Sequence, residues 1–279
     1  MANFYLKAVD LKKDLKKEVL FSGVSLEVQV KNWILITGTS GSGKTTLLRM
    51  LFGEAKSDFG YIEVKKHLRR LKIEHDFIQH KKTIEQNLES LGHKLGMKGD
   101  NLKNRIIELS EKFGFQKYLK ENVGTLSDSI RQLGVLAQGF LAPIDLLAFD
   151  EPLIFLTQKE IQAFLKEEQN FHEIGTAIIN VAANGRSFKK DATKIYELSH
   201  SNLKLVHDSD FTDLVRPHLI FERSEYAEEI PQFLLSNVWV VKNDAHQLEL
   251  IAKPEEVNEL TLELIKRGYT IKYLREEII

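Results

Sequence analysis

Apolar residues recur along this chain with two periods, and the alternation between them sets out the elements. Short apolar or alternating runs at Phe4–Val9, Val24–Val30, Trp33–Thr37, Gly60–Val64 and Phe77–Ile78 read as strands. Thr45–Phe52 reads as a helix that Gly53 is placed to stop. From Ile84 to Leu141 the spacing is helical, broken at Gly92, Gly96, Gly99, Gly114 and Gly124. Strand character returns at Leu146–Phe149 and Thr176–Val181, with a helical stretch, Gln158–Phe171, between them. Strands alternating with helices predict a parallel α/β sheet. Near residue 210 the pattern changes. Asn237–Val241, Gln247–Ile251 and Tyr269–Leu274 read as strands. Between the last two, Pro254-Glu255-Glu256 opens a helix that runs to Lys266-Arg267 and stops at Gly268, with proline in the first turn and acids at the positive end. The reading is therefore residues 1–208 as one α/β domain, with a helical insert at about 84–141, followed by a small ββαβ domain over 209–279.

Composition narrows the class. Of 279 residues, 43% are hydrophobic and 28% charged, as in a soluble globular protein with a sizeable core. The net charge of −1 gives no global electrostatic case for nucleic acid or anionic membrane. The basic run Lys12–Lys17, broken by Asp14 and Leu15, reads as a solvated hairpin rim. No run approaches 18 apolar residues, and the first residues lack the apolar core of a signal peptide. The absence of cysteine excludes disulfides, thiolate metal sites and cysteine nucleophiles. A cytoplasmic location fits these features.

The candidate chemistry lies in two segments. Residues 38–46, Gly-Thr-Ser-Gly-Ser-Gly-Lys-Thr-Thr, match the phosphate-loop pattern G-x-x-x-x-G-K-[ST] between a strand and a helix. Glycines let successive N–H groups curl around a polyphosphate, and the helix start adds partial positive charge. Lys44 would reach the β- and γ-phosphates and the Thr45 hydroxyl would ligate Mg²⁺. The second segment, Pro143 to Pro152, is an apolar strand ending in Asp150-Glu151. Two carboxylates at that sheet edge suit a cation-holding role for Asp150 and polarisation of an attacking water by Glu151.

The order of these motifs resembles the ATP-binding subunit of an ABC transporter. Phosphate loop, Phe77-Ile78-Gln79, helical insert, Leu126-Ser127 and Phe149-Asp150-Glu151-Pro152 follow one another at close to family spacing, over residues 1 to about 208. The resemblance implies a P-loop NTPase core, a parallel sheet flanked by helices, with an antiparallel β part and a helical subdomain. The C-terminal block more weakly resembles the small α+β domain of some bacterial exporters and gliding-motility systems. ATP and Mg²⁺ would bind to Gly38, Thr39, Ser40, Gly41, Ser42, Gly43, Lys44, Thr45 and Thr46. Thr45, Gln79 and Asp150 would hold the cation, and Glu151 and Gln79 would be catalytic. Two subunits of this family sandwich two ATP molecules, with Ser127 reaching the partner's nucleotide in trans. The implied partners are membrane permease subunits and a second ATP-binding subunit, at the inner face of the cell membrane; no nucleic acid is expected.

The chain also departs from the family pattern. Leu126-Ser127-Asp128-Ser129-Ile130 stands where the family has Leu-Ser-Gly-Gly-Gln. Asp128 would repel a phosphate about 4 Å away by ~1 kcal/mol in water and ~4 kcal/mol at a protein surface, and Ser129 lacks glycine's conformational freedom. Ala182-Ala183-Asn184 replaces Thr-His-Asp, so the switch histidine is absent, and His172 and His200 fall outside that turn. Thr157 follows Leu156 where the family has aspartate, Leu15 stands at the adenine-stacking aromatic, and only His80-Lys81-Lys82 separates Gln79 from Thr83. The parts that serve the chain's own site are present while those that complete a partner's are degraded. This pattern admits a homodimer but favours a heterodimer with an intact ATPase. Three readings stay open: a slow or partner-dependent transport ATPase, an ATP-binding switch or structural subunit with weak hydrolysis, and an ABC-type protein outside transport.

Overall fold

The computed structural model describes residues 4–15, 18–75, 78–208, 215–224, 226–231, 238–252 and 257–278. The chain opens with a long hairpin, β1 (Phe4–Leu15) and β2 (Glu18–Gln29). β3 (Trp33–Thr37) leads through the glycine-rich loop into α1 (Lys44–Leu51). β4 (Phe59–Val64) then pairs with the free edge of β1, completing an antiparallel sheet of order β2-β1-β4.

The main sheet has six strands in the order β5-β6-β7-β3-β8-β9. Its members besides β3 are β5 (Arg70–Ile73), β6 (Leu146–Asp150), β7 (Ala177–Ala182), β8 (Lys194–Ser199) and β9 (Asn202–Asp208). All pairings are parallel except the β8–β9 hairpin. Burial on both faces explains the uninterrupted apolar runs of the central strands: Trp33–Ile36, Leu146–Phe149 and Ala177–Ala182 are all buried. One face packs against α1 and the antiparallel sheet. The other packs against α2 (Ile84–Lys94), α3 (Gly99–Lys112), α4 (Asp128–Gly139) and α5 (Gln158–Glu173). Phe140, fully buried, lies 5.0 to 5.6 Å from the rings of Phe149, Phe164 and Phe171 and locks β6 to α4 and α5. Truncating such a ring costs about 3–5 kcal/mol.

A separate antiparallel sheet of order β11-β12-β10-β13 follows, built from β10 (Val215–Arg223), β11 (Trp239–Asn243), β12 (Gln247–Ile251) and β13 (Tyr269–Ile278). With α6 (Val257–Lys266) it encloses its own core of Leu219, Phe221, Leu248, Leu250, Leu260, Leu264 and Tyr269.

Several expectations need correction. The fifth strand ends before Ile78. It is Arg70–Ile73, where Arg70 and Lys72 mask the apolar pattern; Lys72 is buried because Glu54 and Glu74 neutralise it. Ile78 is buried in a bend, and Phe77 lies outside the described residues. The hairpin β8–β9 and the central strand β10 are additions to the pattern read from the sequence, so the last sheet reads β-β-β-α-β rather than ββαβ. Asn237 and the Pro254–Glu256 helix start lie outside the described residues.

Candidate nucleotide site

Parallel pairing brings three strand ends to one edge. Thr37 of β3 is level with Ala182 of β7, and Asp150 of β6 is level with Val181. The glycine-rich loop, the pair Asp150-Glu151 and Ala183 therefore leave the sheet side by side. Carboxyl ends of parallel strands are where α/β sheets commonly bind ligands.

The loop needs its glycines for identifiable reasons. Gly38 has φ 152°, and a Cβ there would fall 2.3 Å from the Leu198 carbonyl. Gly43, the residue before α1, has φ 99°, and a Cβ would meet Leu20 at 2.8 Å. Lys44 is 6% exposed. Its ammonium donates to the carbonyls of Gly38 (2.8 Å) and Thr39 (3.0 Å) and lies 3.9 Å from Glu151 Oε1. The Thr45 hydroxyl bonds to the Asp150 carboxylate. Thr46 follows in the first turn of α1, and Thr39 also accepts from the Ser42 N–H at 3.2 Å.

The two carboxylates are held differently. Burial raises the Asp150 pKa, and the nearby Glu74 adds to the rise against Thr45, Lys72 and Lys44. Its Oδ1 is buried and, among the described residues, has no hydrogen-bond partner; the same holds for Ser42 Oγ. An oxygen-rich corner with Thr45, an unsatisfied Asp150 oxygen and a half-buried second carboxylate fits a hard divalent cation. Glu151 adopts φ 47°, a left-handed conformation that costs a non-glycine residue about 1 kcal/mol. Its N–H donates to Val181 O (2.8 Å), and its Oε1 accepts from the Ala183 N–H (2.8 Å). Burial raises its pKa as well, against that hydrogen bond and Lys44.

Other positions singled out in the sequence lie elsewhere. Gln79 is exposed ahead of α2, where its N–H donates to Asn87 Oδ1 (2.8 Å); no hydrogen bond joins its side chain to Lys44, Thr45, Asp150 or Glu151 among the described residues. Ser127 caps α4, its hydroxyl accepting from the Ile130 N–H. Asp128, exposed, is paired with Arg131 at 3.0 Å, and Ser129 sits in the first helical turn where no glycine conformation is needed. Thr157 caps α5 in a reciprocal arrangement with Glu160, a T-x-x-E pattern legible in the sequence. His172 is a half-buried strut, its Nε2 bonded to the Lys31 carbonyl and its ring packed on Trp33. Leu15 is exposed at the hairpin end.

Comparison with known proteins places this geometry. A family profile described as ABC transporter matches residues 21–154. The cytochrome c biogenesis ATP-binding export protein CcmA 2 of Salmonella paratyphi A is 30% identical over 162 residues, covering 53% of this chain and 74% of that protein. The chain belongs to the ABC transporter family of ATP-binding proteins. The ABC transporter ATP-binding protein NatA of Bacillus subtilis is 31% identical over 153 residues, half of this chain; those residues span 62% of NatA's length. An ATP-binding cassette solved as a dimer with ADP and Pi superposes with a TM-score of 0.66 at 17% identity, over 74% of this chain and all of that one. The fold is that of a P-loop NTPase of the ABC type. Among the described residues no helix is long and apolar enough to cross a membrane.

Proposed function

We propose that this chain binds Mg-ATP at residues 38–46 and hydrolyses it slowly, as one of two ATP-binding subunits that close on nucleotide and so drive membrane-embedded partners. The observation that carries the reading is the convergence of Lys44, Thr45, Asp150 and Glu151 at one sheet edge. Lys44 exchanges its neutral carbonyl acceptors for anionic phosphate oxygens, so that both donor and acceptor are charged. Thr45 and Asp150, with Gln79 from the loop ahead of α2, would hold the cation, and Mg²⁺ would supply charge neutralisation of the phosphates when bound. Glu151 orients and polarises the attacking water, its raised pKa suiting it to accept a proton.

Residues 1–208 form the nucleotide-binding unit in this reading and 209–279 a smaller unit; their separate cores support the division. Ser127 faces a nucleotide held by a second subunit. That subunit is an intact ATPase, because the acid at Asp128 and the alanine at Ala183 leave a pair of identical chains with two impaired sites. Location on the inner face of a membrane follows from the permease partner.

A second reading is favoured by one specific feature. Where the family has a histidine, Ala183 offers Glu151 its backbone N–H and no side-chain donor, so the chain binds ATP as a switch with negligible hydrolysis. Steady-state Mg-ATP hydrolysis by the purified chain, with Glu151→Gln as blank and calorimetric ATP binding alongside, separates the two. A rate above the blank supports the ATPase. Binding without a rate supports the switch, and no binding refutes both.

A further inference from the structure

A buried amide connects the start of α4 to the turn that carries Glu151. Gln132 lies in the second turn of α4 and is 1% exposed. Its Nε2 donates to the Pro152 carbonyl at 3.0 Å, and its Oε1 lies 2.9 Å from His75 Nδ1. The partners fix the orientation of both groups. A proline carbonyl only accepts, so the amide NH₂ must face Pro152. The amide oxygen then faces His75, whose Nδ1 must carry the hydrogen.

Both ends of this clamp touch the candidate site. Pro152 directly follows Glu151, which is itself pinned by its N–H to Val181 and by Ala183 to its carboxylate. His75 follows Glu74, which accepts from Arg49 of α1 and from Lys72. The imidazole also packs against Phe155 of the catalytic turn, with ring centroids 5.8 Å apart. At the helix end, Gln132 adjoins Arg131, which holds Asp128 and donates to the Leu126 carbonyl at 3.0 Å. Ser127, Arg131 and Gln132 are spaced i, i+4 and i+5 on one rigid helix start. Shifting residues 126–131 therefore drags the Pro152 carbonyl or strands a buried amide without partners. The second course is disfavoured in a dry interior.

We propose that Gln132 is a positioning residue that makes the signature end of α4 and the turn carrying Glu151 respond as one body. Nucleotide arriving at residues 38–46 is then felt at 126–131, and a partner engaging 126–131 is felt at Glu151, by the reciprocity that binding linkage requires. The inference rests on the nucleotide reading above.

The test is hydrogen–deuterium exchange of the full chain with and without Mg-ATP, at a dilution where sedimentation finds it monomeric, so that no second copy's nucleotide covers 126–131. In the unaltered chain, exchange should slow both at 38–46 and at 126–131. Gln132→Leu should keep ATP affinity within about threefold, a change of under 1 kcal/mol, and keep the slowing at 38–46, yet lose it at 126–131. A purely structural role would move both segments together. His75→Phe retains a ring against Phe155 and removes only the bond, so it should weaken the distant response alone; if Gln132→Leu fails to fold, this variant decides. An unchanged response at 126–131 in a folded variant overturns the coupling, as does an unaltered chain that responds only at 38–46. No response at 38–46 in the unaltered chain removes the nucleotide reading, and the coupling with it.

Discussion

Helices α1 and α4 begin at two functional motifs and solve the same electrostatic problem in opposite ways. Each presents unpaired N–H groups and a partial positive charge at its first turn. α1 leaves them open: its cap is Gly43, no side chain caps it, and it has no acid in its first turn. Each of the other five α-helices described has an acid there. α4 closes its start from within, with Ser127 bonded to the Ile130 N–H and Asp128 in the first turn beside Arg131. A helix start becomes an anion site only when the chain withholds its own caps and acids. The phosphate loop withholds them; the signature segment supplies them. On the reading proposed above, the asymmetry between a chain's own site and its partner's would be expressed in capping chemistry.

The comparison can be broken first at Lys44. Lys44→Ala should weaken Mg-ATP binding by roughly 100-fold, the scale of losing one or two hydrogen bonds to a charged group. Affinity equal to that of the unaltered chain by calorimetry would show that Lys44 does not hold the phosphates. Glu151→Gln should lower any hydrolysis rate by about 100-fold or more while binding persists, the usual share of general-base catalysis. An unchanged rate would assign the water to another group.

Two smaller changes sharpen the contrast. Asp128→Gly in a Glu151→Gln background should open the α4 start and tighten Mg-ATP-dependent self-association up to about fivefold, from the helix-terminal charge alone. No gain by sedimentation would mean that the Asp128–Arg131 pair already offsets the acid. Thr157→Ala should lower stability by about 1 kcal/mol through the lost α5 cap and leave ATP affinity unaltered. A change in affinity would give Thr157 a role at the nucleotide.

Glu168 provides a control away from both helix starts. It is fully buried, and burial raises its pKa well above 4.5 despite a bond from Asn180. The folded chain then holds a proton that the unfolded chain has released. Stability should fall as pH rises from the unfolded value through the raised folded one. Glu168→Gln should flatten that slope and raise the melting temperature at pH 8 by about 2–4 °C for each kcal/mol recovered. An unchanged pH slope would mean that Glu168 is charged in the native protein.

Local chemistry makes much of the site legible in the sequence alone. The glycines around Lys44 and the apolar strand ending in Asp150-Glu151 each carry their geometry within about ten residues, because turn and strand preferences act over that range. The central strands β3, β6 and β7 are equally plain, since burial on both faces leaves an unbroken apolar run. β5 is hidden because its Lys72 is buried against Glu54 and Glu74, 18 and 2 residues away along the chain. β8, β9 and β10 also escape the pattern; β10 is the central strand whose partners, β12 and β13, begin more than 20 residues later. By position, Thr157 and Asp128 read as losses of function. The structure gives each a local partner, Glu160 and Arg131. The link from Gln132 to His75 and Pro152 spans 57 and 20 residues, beyond the reach of local spacing. Residue types and short spacings thus decided which groups could hold a phosphate and a cation. The tertiary structure decided which charges are neutralised and which helix start stays open, because those depend on partners that only folding brings within hydrogen-bond range.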